Sequence, residues 1–251
     1  MEVKYLIHVL ILVSCCLGAW GGLPPEIEKC KSTDNDDCIA KNILKVLQLY
    51  PHGYAEMGLP DVSSIVVKDI VLSESKRDSP IQLNFKFNTL TVKGLETLKI
   101  LRVHGFNKNL TKSIEIEFLI PKITIDGDYE INGKLLLLPL NGKGLGNIAL
   151  KDVYSKYKVK VQVVNRNNTN YGVIDKIQLK ELDPKKMIFN LQNIVNNNAI
   201  LSESINGVIN ENWSDLWLEI KSNTIRYVED IIRNILNDIL KELPVDEFYL
   251  D

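Results

Sequence analysis

Few residues in this chain of 251 amino acids could carry out chemistry, since it contains only three histidines and four cysteines. His8, Cys15 and Cys16 fall within residues 1–20, so the rest of the chain keeps His52 and His104 as its histidines. Neither lies in a His-Glu-x-x-His motif, and no Gly-x-Ser-x-Gly element is present, so the common zincin and serine-hydrolase signatures are missing. We therefore expect both histidines to be structural or surface residues, and we expect neither a metal site nor enzymatic activity.

Two glycine-rich runs superficially resemble nucleotide-binding loops. Gly142, Gly144 and Gly146 are followed by Asn147, whereas a Rossmann fingerprint needs its third glycine three positions after the second. Residues 127–134 have one residue too many for a Walker A loop. We therefore interpret both sets as turn glycines and predict no nucleotide or other cofactor.

The charge balance argues against a nucleic-acid partner. The chain has 30 basic and 32 acidic residues, a net charge of −2, and a composition that is 45% hydrophobic and 25% charged. These values are ordinary for a globular protein. No stretch gathers the roughly five or six like charges that mark a nucleic-acid or polybasic membrane segment.

The first residues have the pattern of a targeting segment. Lys4 precedes a mostly apolar run over residues 5–17, and the small residues Gly18, Ala19, Gly21 and Gly22 follow. Because a membrane span needs about 20 apolar residues, the run predicts a cleaved signal peptide, residues 1–21, cut between 18 and 22. Residues 22–251 are then predicted to form a single secreted, extracellular domain without a membrane span.

Removal of this segment leaves Cys30 and Cys38 as the cysteines of the mature chain. An even pair in an oxidising compartment predicts one disulfide, worth about 2–3 kcal/mol for so short a loop in the chain-entropy model. Secretion also makes three Asn-x-Ser/Thr sequons available, at Asn109, Asn167 and Asn212. Asn167 lies in an Asn-rich run typical of a hairpin loop and is the best glycosylation candidate, whereas Asn212 adjoins Trp213, which we expect to be packed.

The hydrophobic period predicts the elements that position these residues. An amphipathic helix is predicted from Asp36 or Asp37 to Pro51, followed by a period of two from about residue 62 to residue 188, which indicates antiparallel strands. Pro121 interrupts one strand, and the apolar register resumes at Ile123, so a bulge or sharp bend is expected there.

The C-terminal region is predicted to be a single long helix. Residues 215–243 contain neither Gly nor Pro, and at 1.5 Å per residue this helix would be about 43 Å long. Because a small domain is only about 30 Å wide, the molecule should be elongated, with the sheet wrapped along the helix. A coiled coil is the disfavoured alternative, since the clean repeat is short and many strands are available to cover the apolar face. A shorter helix is predicted within residues 185–212, with these residues on its buried side: Ile194, Ile200, Leu201, Ile205 and Ile209.

The predicted fold class is therefore α+β, a long and strongly curved antiparallel sheet around a long C-terminal helix, with a short N-terminal helix. Such a roll could hold an apolar ligand between sheet and helix. Equally, those faces could pack against each other as a filled core, and the sequence leaves both readings open.

Three separated motifs in the right order carry a family resemblance. They are the pair Cys30 and Cys38, the run from Pro121-Lys-Ile-Thr-Ile-Asp-Gly127 to Leu138-Pro-Leu-Asn-Gly142, and the run Ile209-Asn-Glu-Asn-Trp213. Along essentially its whole mature length the chain resembles the insect takeout and juvenile-hormone-binding protein family. The resemblance implies a roll related to lipid-transfer proteins, turns at Gly127 and Gly142, a buried anchor at Trp213, and a haemolymph-type fluid as the location.

The resemblance also implies an internal tunnel for a small hydrophobic ligand, such as a juvenoid terpenoid, a fatty acid or a related lipid. We therefore expect a monomeric, non-covalent carrier with a possible link to biological rhythms. The alternative is a signalling or interaction protein that acts through a surface receptor and whose tunnel is structural. From periodicity we expect eight residues to line the tunnel: Phe85, Phe87, Phe118, Leu135, Leu137, Val228, Ile232 and Ile235.

Overall fold

The computed structural model describes residues 22–74, 81–110, 112–135, 138–195 and 198–250, apart from the side chains at 81, 135 and 138. The predicted signal peptide, residues 1–21, lies outside this part of the chain, as do Leu137 and Thr111, the third residue of the Asn109 sequon.

One antiparallel sheet dominates the described fold. Its strands are β1 (Ile65–Ser73), β2 (Ile81–Lys93), β3 (Lys99–His104), β4 (Ile114–Leu135), β5 (Leu138–Arg166) and β6 (Thr169–Leu191). They pair in the order β1-β2-β4-β5-β6, with β3 beside the first part of β4. The 29 residues of β5 would span about 95 Å if straight, so the strands must bend, and the predicted strong curvature is confirmed.

The bend lies where the sequence predicts it, at Pro121. Ile120 pairs with Val153 and Lys122 with Lys151, so Pro121 faces Asp152, which has a φ of 47°. On β6 the facing position is residue 185, between the residues that pair with 153 and 151. Each of the three strands has one extra residue here. The inward-facing residues of each strand therefore switch between even-numbered and odd-numbered positions, while the pairing of the strands stays in register.

Three α-helices complete the described part of the fold: α1 (Asp36–Leu49), α2 (Ala199–Glu211) and α3 (Trp213–Glu242). The 30 residues of α3 measure about 45 Å, which confirms the long C-terminal helix. The predicted buried side of the short helix is partly wrong, because Ile200 and Leu201 are 81% and 42% exposed. The helix begins only at Ala199 and packs on β6 through later residues, while Ile194 is buried in the segment before it.

Helix α3 closes the sheet by supplying polar side chains to both free edge strands. On the β1 side, the Tyr227 hydroxyl accepts a hydrogen bond from the Val71 amide at 3.1 Å. On the β6 side, the Asn237 Oδ1 accepts one from the Ile174 amide at 2.9 Å. The helix therefore occupies the place of a missing strand and satisfies edge groups that would otherwise be unpaired.

The predicted turn glycines are in fact strand residues. Gly127 lies within β4 and Gly142 within β5. A Cβ at Gly127 would collide with the Thr89 carbonyl oxygen, and one at Gly142 with the carbonyl oxygens of Asn193 and Ile194. Glycine is therefore required there by the close approach of a neighbouring backbone rather than by a turn.

Candidate ligand-binding cavity

A cavity of about 370 Å³ lies between α1, the C-terminal half of α3 and one end of the curved sheet. This end consists of β3, the first part of β4, the last part of β5 and the first part of β6. This size falls within the range of small-molecule sites, about 300–1,000 Å³. On the other side of the bend, Tyr129, Phe189 and Leu191 are among the fully buried side chains, and a second, more open pocket borders Phe85 and Ile131. The molecule thus has a hollow end with a largely apolar cavity and an opposite end where a packed core borders a more open pocket with polar residues in its wall.

The sheet contributes one wall through alternating residues. On β4 these are Ile114, Ile116, Phe118 and Ile120, which point inward before the bend because strand side chains alternate between faces. Strand β5 adds Tyr157, Val159 and Val161. The Phe118 and Tyr157 rings stack with their centroids 5.4 Å apart and their planes at 16°, which forms a flat aromatic section of the wall.

The helices contribute the facing walls at helical spacing. From α3 come Ile232, Ile235, Leu236, Ile239 and Leu240, positions that repeat on one face of a helix. From α1 come Ile39, Ile43, Val46 and Leu47. Both apolar stripes are therefore used to cover the cavity, which explains why the sequence keeps them apolar.

The two ends of the described chain meet at the cavity. The amide of Cys30 donates to the Phe248 carbonyl at 3.0 Å, and the amide of Leu250 donates to the Cys30 carbonyl at 2.8 Å. Cys30 and Cys38 form a disulfide with a Cα separation of 5.9 Å, as predicted. The disulfide therefore joins the start of α1 to a segment that is itself paired with the C-terminal tail.

The polar groups of the wall are few, and two of them are tyrosine hydroxyls. Tyr157 and Tyr249 are each 5% exposed, and neither hydroxyl has a hydrogen-bond partner within the described chain. By contrast, Asn42 donates to the Glu28 carbonyl at 2.6 Å. The two phenols thus have unused hydrogen-bonding capacity, as does the carboxylate of Glu28, whose side chain is 71% exposed.

Burial fixes the protonation state of both phenols. Burial first, and the nearby Glu229 carboxylate second, raise the pKa of Tyr157 far above its usual value. Burial also raises the pKa of Tyr249 to about 12. Both hydroxyls are therefore neutral at physiological pH and can each donate one hydrogen bond and accept others.

Of the eight predicted lining residues, the structure brings Phe118, Ile232 and Ile235 together on the cavity wall. Val228 lies on α3, where it packs against the main core. Phe85 and Phe87 are buried in a ring cluster with Tyr129, at centroid distances of 6.1 and 6.3 Å from it. Phe85 also borders a second, more open pocket of about 550 Å³. The Leu135 side chain and Leu137 lie outside the described part of the chain.

Sequence reasoning missed the α1 face, both tyrosines and the C-terminal residues Val245, Phe248 and Tyr249. A signal for the last group exists in the sequence, since an aromatic pair follows Pro244 after the helix stop. No periodic pattern assigns Tyr157 to the cavity rather than to the core, because cavity-lining residues and core residues alternate in the same way on the inward face of β5.

Both remaining histidines have structural partners. His104 Nδ1 lies 3.0 Å from the Asp36 carboxylate at the start of α1. His52 Nδ1 lies 3.1 Å from Ser63 Oγ and 3.5 Å from Asp61 Oδ2. A hydrolytic triad places the serine and the carboxylate on opposite ring nitrogens, whereas here both approach the same one. Within the described residues, no group of three or more metal-binding side chains occurs.

Comparison of the chain with known proteins identifies its family. The model of the haemolymph juvenile hormone binding protein family matches residues 9–250 of the chain. The chain belongs to this family. Two relatives carry the name circadian clock-controlled protein daywake. The Drosophila melanogaster protein is 25% identical over 253 aligned positions, which cover 97% of this chain and 94% of that relative. The Drosophila yakuba protein is 25% identical, covering 96% and 94%.

A solved structure shows the same fold. The crystal structure of takeout 1 from Epiphyas postvittana is 22% identical to this member of the haemolymph juvenile hormone binding protein family, with a TM-score of 0.78. The match covers 90% of this chain and 100% of that one. Separately, no helix in the described ranges is long and apolar enough to cross a membrane.

Proposed function

We propose that this protein is a secreted, monomeric carrier that holds one small hydrophobic ligand in the cavity without turning it over. The observation that carries the proposal is the composition of the wall, in which apolar side chains from the sheet, the helices and both ends of the described chain surround a space whose polar residues are Tyr157, Tyr249, Asn42 and Glu28. Transfer of an apolar molecule from water into such a space is favourable by about 25 cal/mol per Å² buried.

The wall chemistry also narrows the ligand class. A chain-like molecule with one weakly polar group, such as a juvenoid terpenoid, a fatty acid in its neutral form or a related lipid, matches apolar walls with a neutral hydroxyl donor at Tyr157. An ionised headgroup inside the cavity would be penalised, since the cavity wall offers it no cation. Membership in the haemolymph juvenile hormone binding protein family supports the terpenoid choice. The clock-controlled relatives support a link to biological rhythms.

The test is a matched pair of substitutions on α3. Leu236→Trp places a larger side chain on the cavity wall, whereas Leu218→Trp makes the same change at a position that is 71% exposed. We expect the first to weaken binding of a fluorescent fatty-acid or juvenoid probe by about tenfold or more, which is about 1.4 kcal/mol, and the second to leave it unchanged.

Two controls make this test decisive. Thermal unfolding of both variants checks that each one folds, and native mass spectrometry of the purified wild-type protein checks for a co-purifying lipid. Absence of saturable probe binding by the wild type, together with absence of bound lipid, would overturn the proposal.

A further inference from the structure

Three lysines from distant parts of the sequence form a row across the outer face of the sheet. Lys122 on β4 pairs with Lys151 on β5, which in turn pairs with Lys186 on β6. Their chain neighbours Leu150 and Met187 are buried at 6% and 2% exposure, so the lysines point away from the core. Directly opposed residues on neighbouring strands have Cβ atoms about 5 Å apart, which places three like charges in line.

Three other lysines of the same outer face form ion pairs in the described part of the chain, unlike Lys122 and Lys151. Lys156 lies 3.1 Å from the Glu117 carboxylate, Lys158 lies 3.3 Å from Glu115, and Lys160 lies 3.5 Å from Asp175. Ion pairing across strands therefore occurs on this surface, although the exposed Lys176 and Lys180 also form no ion pair in the described chain. Over the described ranges, Lys122 and Lys151 have no carboxylate within ion-pair distance.

Three acidic residues lie close to the row in the sequence, and none of them forms an ion pair with it in the described chain. Asp126 accepts a hydrogen bond from Asn147 at 2.6 Å, and Asp183 pairs with Lys221 at 2.7 Å. Asp152 follows Lys151 in the chain but, in the part that the structure describes, forms no ion pair. Like charges placed directly opposite each other destabilise a sheet, so the row has a cost that the fold tolerates.

The row ends in residues suited to a membrane interface. The Lys186 ammonium lies 5.5 Å from the ring centroid of the half-buried Trp213. Ile188 follows on the same face of β6 and is 37% exposed. Tryptophan beside lysine, with an apolar residue next to them, is the combination that favours the boundary between lipid headgroups and acyl chains.

The position of the row favours a flat partner. It lies beside Pro121 and Asp152, where the three strands bend. When a curved sheet approaches a planar surface, the convex side of its bend makes contact first. We propose that the row Lys122–Lys151–Lys186, with Trp213, docks this protein on an anionic lipid membrane.

Lys151→Glu tests this proposal because the row predicts opposite effects on binding and on stability. The change places a negative charge between the positive charges of Lys122 and Lys186. We therefore expect the melting temperature to be equal to or higher than that of the wild type. A lysine near an anionic surface contributes roughly fivefold in affinity, so its reversal, which removes one attraction and adds one repulsion, should weaken binding to vesicles by about 25-fold. Binding is measured by flotation with phosphatidylcholine vesicles containing about 30 mol% phosphatidylserine.

Lys180→Glu is the matched control, with the same change of charge at an exposed lysine about 20 Å along β6 from Lys186. We expect it to keep wild-type vesicle binding, and we expect both variants to keep wild-type affinity for the cavity probe. Retention of binding by Lys151→Glu, an equal loss in Lys180→Glu, or binding to heparin but not to these vesicles would each overturn the proposal.

Discussion

Tyr157 is 5% exposed, and its hydroxyl has no protein hydrogen-bond partner within the described chain. Such a group normally costs stability unless a ligand or water satisfies it. We expect Tyr157→Phe to leave the unliganded protein equally stable or up to about 1 kcal/mol more stable. The same variant should bind a ligand with a hydroxyl, ester or epoxide group about two- to tenfold more weakly.

A ligand pair isolates the hydrogen bond in this prediction. An ester-bearing juvenoid and the corresponding hydrocarbon should respond differently, with only the ester losing affinity in Tyr157→Phe. Isothermal titration calorimetry with both ligands measures the difference. An equal loss for the two would assign the effect of Tyr157 to packing against Phe118 instead.

The glycosylation prediction also belongs to single residues. Asn167 is exposed in the two-residue turn between β5 and β6, where Asn167 and Asn168 have φ values of 51° and 63°. Asn212 is half-buried, and its amide donates to the Val208 carbonyl at 2.8 Å. We expect a glycan at Asn167 and none at Asn212 when the protein is secreted from insect cells. Peptide mass mapping after glycosidase treatment checks this, and a glycan on Asn212 would contradict it.

At the scale of elements, α2 protects the free edge of β6 through two asparagines. Asn210 accepts from the Phe189 amide at 2.7 Å and donates to its carbonyl at 2.8 Å. Asn206 forms the same pair of bonds with Leu191, both at 2.9 Å. Each side chain therefore imitates the backbone of a neighbouring strand.

We expect Asn210→Ala to lower the free energy of unfolding by about 2 kcal/mol, since two edge groups lose their partners. Glu203→Ala, at an exposed position of the same helix, should change it by less than about 0.5 kcal/mol. Urea unfolding gives both values, and hydrogen exchange reports on the Phe189 amide directly. Unchanged protection of that amide in Asn210→Ala would contradict the strand-like role.

The elements themselves were largely predictable because periodicity and stop signals mark them. Pro121 predicts the position of the bend, and Pro51 and Pro244 follow the ends of α1 and α3. The matching irregularity at Asp152 was not predictable, since an aspartate with a positive φ carries no glycine or proline signal. Likewise, alternation identifies inward residues such as Phe85 and Phe118 but does not say which of them face a cavity. That depends on the distance between the sheet and the elements opposite it.

At the scale of the whole molecule, the hollow end should depend on its contents. Binding of a ligand to the folded state alone raises stability by about 2.7 kcal/mol at a concentration of 100 times Kd. We therefore expect delipidated protein to melt at a lower temperature and to regain the loss when a juvenoid or fatty acid is added. Differential scanning calorimetry measures this, with Leu236→Trp as the variant that should respond least. A melting temperature indifferent to delipidation and refilling would contradict it.

The shared irregularity at 121, 152 and 185 also constrains how this protein can change over generations. Deletion of Asp152 alone would shift one half of β5 by one residue, turning Leu150 and Ile148 toward solvent or breaking their pairing with β4 and β6. Viable length changes at the bend must therefore occur in all three strands together or in none. The spacing between this point and the hairpin at Asn167 is consequently expected to be inherited as a fixed length, even where the side chains around it diverge.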